Sequence, residues 1–139
     1  MLFDTSTQFG ARVAQRLQEE EVIWLTTVTP SGDPQPNPVW FYWDGKTFLI
    51  YTQPSSVKLR NLQHNPKVSL HFNSDEDGGD IAIFAGEASI DPDAPLAHLN
   101  QDYLNKYRQG IADLDMSPQN MGEQYSVALR VRPTKVRGF

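Results

Sequence analysis

The chain has 139 residues, 39% of them hydrophobic and 21% charged, which suits one compact domain spanning 1–139. It contains no cysteine, which rules out disulfides, thiolate-bound metals and a thiol nucleophile, and its net charge of -5 argues against a nucleic-acid partner. No apolar run is long enough to cross a membrane, and Met1-Leu2-Phe3-Asp4 lacks the order of a signal peptide, so a cytoplasmic protein is expected.

Residues 6–20 place Phe9, Val13 and Leu17 at four-residue steps, the pattern of an amphipathic helix that Ser6 or Thr7 is placed to cap. From Val22 to Thr29 the sequence turns β-branched and aromatic, and Pro30-Ser31-Gly32-Asp33-Pro34 then reverses it. Pro36–Trp43 and Thr47–Gln53 flank Asp44-Gly45, so these two runs read as a β-hairpin. Ser55-Ser56 precedes a short helix from Val57 that Asn65-Pro66 closes. Alternation of Val68, Leu70 and Phe72 predicts a fourth strand, Ile81–Ile90 a fifth and Tyr125–Val131 a sixth, with a basic tail able to continue as strand past Pro133. Between them, residues 95–109 carry Leu96, Leu99, Tyr103 and Tyr107 on one helical stripe.

Six strands joined by tight reversals and short helices describe a mainly β protein, a small antiparallel barrel. Val39, Phe41 and Trp43 alternate with Trp40 and Tyr42, so this stretch is apolar on both faces. A barrel interior buries only one of them, so the other needs a helix, a ligand or another subunit, and homodimerisation is the cover expected.

Seven of the 12 basic residues lie in two segments, Lys58, Arg60 and Lys67 in mid-chain and Arg130, Arg132, Lys135 and Arg137 near the end. The stretch Tyr51-Thr52-Gln53-Pro54-Ser55-Ser56-Val57-Lys58-Leu59-Arg60 delivers a strand to a helix N-terminus, where free backbone N–H groups and the helix dipole favour an anion. The acids around Gly78-Gly79 read as an exposed loop without the spacing of a calcium site, and His64, His71 and His98 have no metal-pair spacing. Neither a nucleophile elbow nor a phosphate-binding glycine fingerprint is present, so no catalytic side chain and no metal ligand is assigned. An anion site beside aromatic strands, without acid–base machinery, points to a phosphorylated planar cofactor that carries the chemistry itself.

The order Trp24-Leu25-Thr26-Thr27-Val28, Ser31 through Phe41, Asp44-Gly45, Tyr51-Thr52, Ser56-x-Lys58-x-x-Asn61-Leu62, Asn65-Pro66-x-Val68 and Pro133-Thr134-Lys135-Val136-Arg137-Gly138-Phe139 resembles the pyridoxamine 5'-phosphate oxidase-like split-barrel flavoproteins. Within them it is similar to the branch of deazaflavin (coenzyme F420)-dependent oxidoreductases. The resemblance implies a six-stranded split barrel that forms a homodimer with cofactors at the subunit interface. It implies that Tyr51, Thr52, Ser56 and Lys58 meet the cofactor's phosphate, and that Asn37, Val39 and Trp40 run beside its ring. Arg60 joins them on charge, and Arg137 and Phe139 become candidates for a wall supplied across the dimer.

Two departures bear on the cofactor. Val57 and Asn37 stand about where vitamin B6 oxidases carry arginines, and Arg137-Gly138-Phe139 replaces their Arg-rich ending, which favours the deazaflavin F420 over FMN. The expected activity is hydride transfer from the deazaflavin to a small unsaturated or quinone-like acceptor. The alternatives are an FMN-dependent oxidase or reductase and a non-catalytic carrier of a flavin or haem.

Overall fold

The computed structural model describes residues 2–139. In chain order they form α1 (Gln8–Glu19), β1 (Val22–Val28), β2 (Pro34–Trp40), β3 (Tyr42–Trp43), β4 (Phe48–Thr52), α2 (Val57–His64), β5 (Lys67–His71) and β6 (Ala82–Ile90). A 3-10 turn at Ala97–Leu99 leads into α3 (Gln101–Asp113), α4 (Pro118–Gln124) and β7 (Val127–Gly138). All pairings are antiparallel, in one sheet of order β2-β1-β5-β6-β7-β4-β3. The architecture is the mainly β, curled antiparallel sheet of a split barrel.

The strand count is seven where six are expected, because the run Pro36–Trp43 is broken at Phe41. Its first part, β2, pairs with β1 at one edge of the sheet, and its second part, β3, pairs with β4 at the other. One residue separates the two edges, so the sheet must curl until they meet. The sequence of β2 explains its place. Pro34, Pro36 and Pro38 fall at every second residue, opposite Val28, Thr26 and Trp24. A proline has no N–H to give a ladder, so the strand can pair along one side only and is confined to an edge. The outward side, without those donors, is also a poor template for a further strand.

At the break, the backbone groups of Phe41 are satisfied by side chains of α3. The Phe41 N–H donates to the Tyr107 hydroxyl at 2.8 Å, and the Phe41 carbonyl lies 2.8 Å from both that hydroxyl and Lys106 Nζ. The Tyr107 hydroxyl also reaches the Glu21 carbonyl at 2.6 Å, so one phenol ties the seam to the start of β1. Lys106 Nζ sits 3.6 Å from the Phe41 ring centroid. Burial pushes its pKa down to about 8, against the opposing pull of Glu21 and Glu20. The sign follows from the direction: a lysine lowered by folding carries a penalty that is full below about pH 8 and fades as pH rises toward the ordinary value of 10.5. Relative to Lys106→Met, the wild-type protein is therefore expected to gain about 1 kcal/mol of stability between roughly pH 7 and pH 10, a figure reduced for solvent screening. Urea midpoints of the two proteins across that range check it, and a gap that stays constant contradicts it.

Two apolar layers follow. Val13 and Leu17 of α1 join Ile23, Leu25, Phe41, Phe48, Ile50, Leu70, Phe84, Leu129 and Val131 in the barrel interior. On the other side of β4 and β7, Leu49, Tyr51 and Ala128 pack on Tyr103, Tyr107, Ile111 and Met121 of α3 and α4, with Trp40 and Tyr42 alongside. Helices of the same chain thus cover part of the second face of the Trp40–Tyr42 stretch, and both residues stay partly exposed. The stripe of residues 95–109 divides accordingly, with Tyr103 and Tyr107 buried while Leu96 and Leu99 are exposed.

β7 runs seven residues past its expected end at Val131, to Gly138, through a register shift opposite Ala85 and Gly86. A side chain on Gly86 would come within 2.7 Å of the Arg132 carbonyl, so the shift depends on glycine there. Thr7 is the residue that caps α1, accepting the Gly10 N–H. The acidic loop is not wholly solvated, since Asp80 accepts from Arg12 Nε at 2.9 Å and its carbonyl from Arg16 Nη1 at 2.6 Å. No helix among the described residues is long and apolar enough to cross a membrane.

Candidate functional site

A cavity of about 320 Å³ opens where β2, the end of β4, the start of α2 and the α3–α4 layer converge. It is lined by Pro38, Val39 and Trp40 from β2, Tyr51 and Thr52 from β4, Lys58 from α2, and Tyr103, Leu114, Met121 and Tyr125 from the helical layer. Its size and largely apolar lining with a few polar groups are those of a small-molecule site.

The polar end is built on α2. Its N-cap residue is Ser56, yet the Ser56 side chain makes no capping bond, unlike Thr7, Asn100 and Ser117 at the starts of α1, α3 and α4. Ser56 Oγ is buried without any hydrogen-bond partner, one of two such side-chain atoms among the described residues. A buried orphan hydroxyl costs about 1–3 kcal/mol unless something fills its bonding capacity. Two residues on, Lys58 is half-buried with no carboxylate partner among the described residues, and burial lowers its pKa. A free hydroxyl, an unpaired ammonium and the uncapped N–H groups of a helix start all favour the same guest, a phosphate or similar anion. These residues fit the phosphate of a flavin-type cofactor.

Asn61 holds that helix in place. It is 3% exposed, and its Nδ2 donates to Thr27 Oγ1 and Gln35 Oε1, both at 2.9 Å, binding α2 to β1 and β2 together. Part of the lining is aromatic: Trp40 stacks on Tyr107 behind it with centroids 4.6 Å apart and planes within 3°, and Gly110 leaves room for the indole, its missing Cβ being 3.1 Å from that ring.

Of the sequence-predicted site residues, Val39, Trp40, Tyr51, Thr52 and Lys58 line this cavity, and Ser56 stands at its helix start. Asn37 is exposed on β2 and Pro38 takes its place in the lining. Arg60 is exposed on α2 and does not line the cavity. Arg137 and Phe139 lie at the opposite end of β7 from Val127, the residue that pairs with Thr52. Ten residues of strand place Arg137 roughly 30 Å away along β7, so one chain does not bring it to the cavity. Phe139 is 71% exposed. Two other C-terminal cations are engaged elsewhere, Arg130 with Asp91 at 2.9 Å and Arg132 with Glu87 at 3.3 Å.

Sequence reasoning missed Tyr103, Leu114, Met121 and Tyr125 as lining residues. Tyr103 and Tyr107 had been legible as one helical stripe, but α4 carries too few apolar residues in seven to register as amphipathic. Among the described residues no group of three or more metal-ligating side chains occurs. His71 stacks on Trp24 and makes a 3.0 Å hydrogen bond with the Phe72 carbonyl.

A curled antiparallel barrel with a phosphate-ready helix start beside an aromatic cavity defines a class of flavin-type binding proteins. The pyridoxamine 5'-phosphate oxidase family matches residues 9–139, and the chain belongs to that family. It is similar to a solved F420 reductase at 26% identity, covering 88% of this chain and 94% of the other with a TM-score of 0.68. A putative pyridoxamine 5'-phosphate oxidase from Listeria innocua aligns at 20% identity over 91% of this chain and 94% of that one, TM-score 0.67. The heme storage protein HutZ from Vibrio cholerae shares the fold at 18% identity over 95% of both chains, TM-score 0.65. The pyridoxine/pyridoxamine 5'-phosphate oxidase 2 of Hydrogenovibrio crunogenus is 40% identical over 60 residues, which is 41% of this chain and 27% of that protein.

Proposed function

We propose that the protein is a flavin-type oxidoreductase that uses the deazaflavin F420 for hydride transfer to a small unsaturated or quinone-like acceptor. The observation that carries this reading is the buried, unpartnered Ser56 Oγ beside the unpaired Lys58 at the start of α2, next to a cavity walled by Trp40, Tyr103 and Tyr125. Likeness to an F420 reductase at 26% identity supports the choice of cofactor. A bound deazaflavin supplies the hydride. The chain's part is to hold and screen: Ser56, Lys58 and the α2 backbone bind the phosphate, the β2 backbone at Val39 and Trp40 orients the ring, and Leu114 and Met121 exclude water from the cavity. A homodimer in the cytoplasm completes the proposal, with Arg137 and Phe139 of a second copy forming the outer wall that one chain leaves open.

Side-by-side fluorescence titration with the deazaflavin and FMN tests the reading. The deazaflavin is expected to bind more tightly, and Lys58→Ala to lose at least about 1 kcal/mol of affinity for it, as when a charge-assisted hydrogen bond is removed. Preferential uptake of FMN would assign the protein to FMN-dependent oxidases or reductases. Tight binding of either with no turnover across a panel of acceptors would make it a carrier.

A further inference from the structure

Three tyrosines stand in a column beside the cavity. Tyr51 and Tyr103 meet edge to face with centroids 4.8 Å apart, Tyr103 and Tyr107 are also 4.8 Å apart, and Tyr107 stacks on Trp40. Two of the three hydroxyls are committed to the fold. Tyr51 donates to the Pro95 carbonyl at 2.6 Å and accepts from Asn100 Nδ2 at 3.1 Å, while Tyr107 serves Phe41 and Glu21.

Tyr103 differs. It is 2% exposed and lines the cavity, and its hydroxyl has no hydrogen-bond partner among the described residues. That hydroxyl is not among the buried side-chain atoms without partners, Ser56 Oγ and His98 Nδ1. Tyr103 is one of the residues that line the cavity. Burial among Tyr107, Tyr51 and Tyr125 pushes its ionisation far above the ordinary phenol value, so the group stays protonated and acts as a donor. A buried phenol normally finds a partner within the protein; one left free on the wall of a cavity is set for a guest.

We propose that Tyr103 is the hydrogen-bond donor of the cavity's aromatic lining, giving its hydroxyl proton to a carbonyl or anionic oxygen on the edge of a bound planar ligand. The bond is donated, not transferred, and the phenol remains neutral. The inference deepens the cofactor reading above and rests on it only for the ligand's identity.

The test titrates wild type, Tyr103→Phe and Ser56→Ala with FMN and riboflavin, with the deazaflavin and its phosphate-free chromophore, and with menadione, a planar quinone without phosphate. For whichever cofactor pair binds, Tyr103→Phe is expected to weaken the phosphorylated and phosphate-free members alike, by roughly five- to tenfold. Ser56→Ala should weaken only the phosphorylated one. Equal affinity of Tyr103→Phe and wild type for every ligand overturns the proposal. If menadione alone binds and Tyr103→Phe weakens it, the cofactor reading fails and the Tyr103 assignment stands; if nothing binds to wild type, both fall. Thermal melting without ligand adds an independent check. Because the hydroxyl serves nothing in the fold, Tyr103→Phe should melt at or above the wild-type temperature, and a drop of several degrees would assign it a structural role instead.

Discussion

Tyr107→Phe is expected to destabilise the protein by about 3 kcal/mol, a large loss for the removal of a single atom. The ring and its stack on Trp40 survive the change, so the effect isolates the hydroxyl. That hydroxyl accepts from the buried Phe41 N–H and reaches the carbonyls of Phe41 and Glu21. Without it the Phe41 N–H, which lies between β2 and β3 and has no ladder partner, becomes a buried orphan donor. The Phe41 carbonyl keeps Lys106 at 2.8 Å, so the damage falls on the donor and on Glu21. Urea unfolding of the two proteins at neutral pH measures the difference. A loss under about 1 kcal/mol would mean that water takes over the seam.

Lys58→Glu should weaken cofactor binding by about a hundredfold or more, close to 3 kcal/mol, since it removes a charge-assisted bond and sets a carboxylate against the phosphate. The fold should tolerate the change. Lys58 has no carboxylate partner among the described residues, and burial already lowers its pKa, so the free protein carries a desolvation penalty for this cation that only a bound anion offsets. Calorimetry with a phosphorylated cofactor and its phosphate-free form separates charge from shape: the first should lose its affinity and the second keep it. Loss of both would place Lys58 in a packing role.

Much of this was readable in the sequence, for physical reasons. Asp44-Gly45 between aromatic runs marks the β3–β4 reversal, and the four-residue spacing of Phe9, Val13 and Leu17 marks α1, because turn chemistry and helical period are local properties. The anion reading of Ser56 and Lys58 is likewise open to sequence, since a strand leading into a Ser-started helix suggests one without reference to the rest of the chain. The break at Phe41 was not. Val39 to Trp43 alternate without interruption, and what splits them is the docking of Lys106 and Tyr107 from 65 and 66 residues away. The same long-range packing hid the part of the cover over Trp40 and Tyr42 that α3 and α4 supply, since nothing local says whether a helix, a ligand or a second subunit lies there. Tyr103 reads as one more apolar stripe residue until the partners of its neighbours' hydroxyls are known. Arg60 joins the set on charge, and charge alone does not say which way a side chain faces.

The run from Pro34 to Trp43 is at once the two margins of the sheet and one wall of the cavity. Closing the barrel and shaping the site are thus a single event, governed by one free energy. A ligand that bridges β2 to the start of α2 acts as a clasp on the seam, and its binding energy returns as resistance to unfolding that grows with the logarithm of its concentration over its dissociation constant. The converse also holds: changes that widen the site for a bulkier guest loosen the closure of the whole sheet, so selectivity for ligand and tolerance of heat are drawn from the same ten residues.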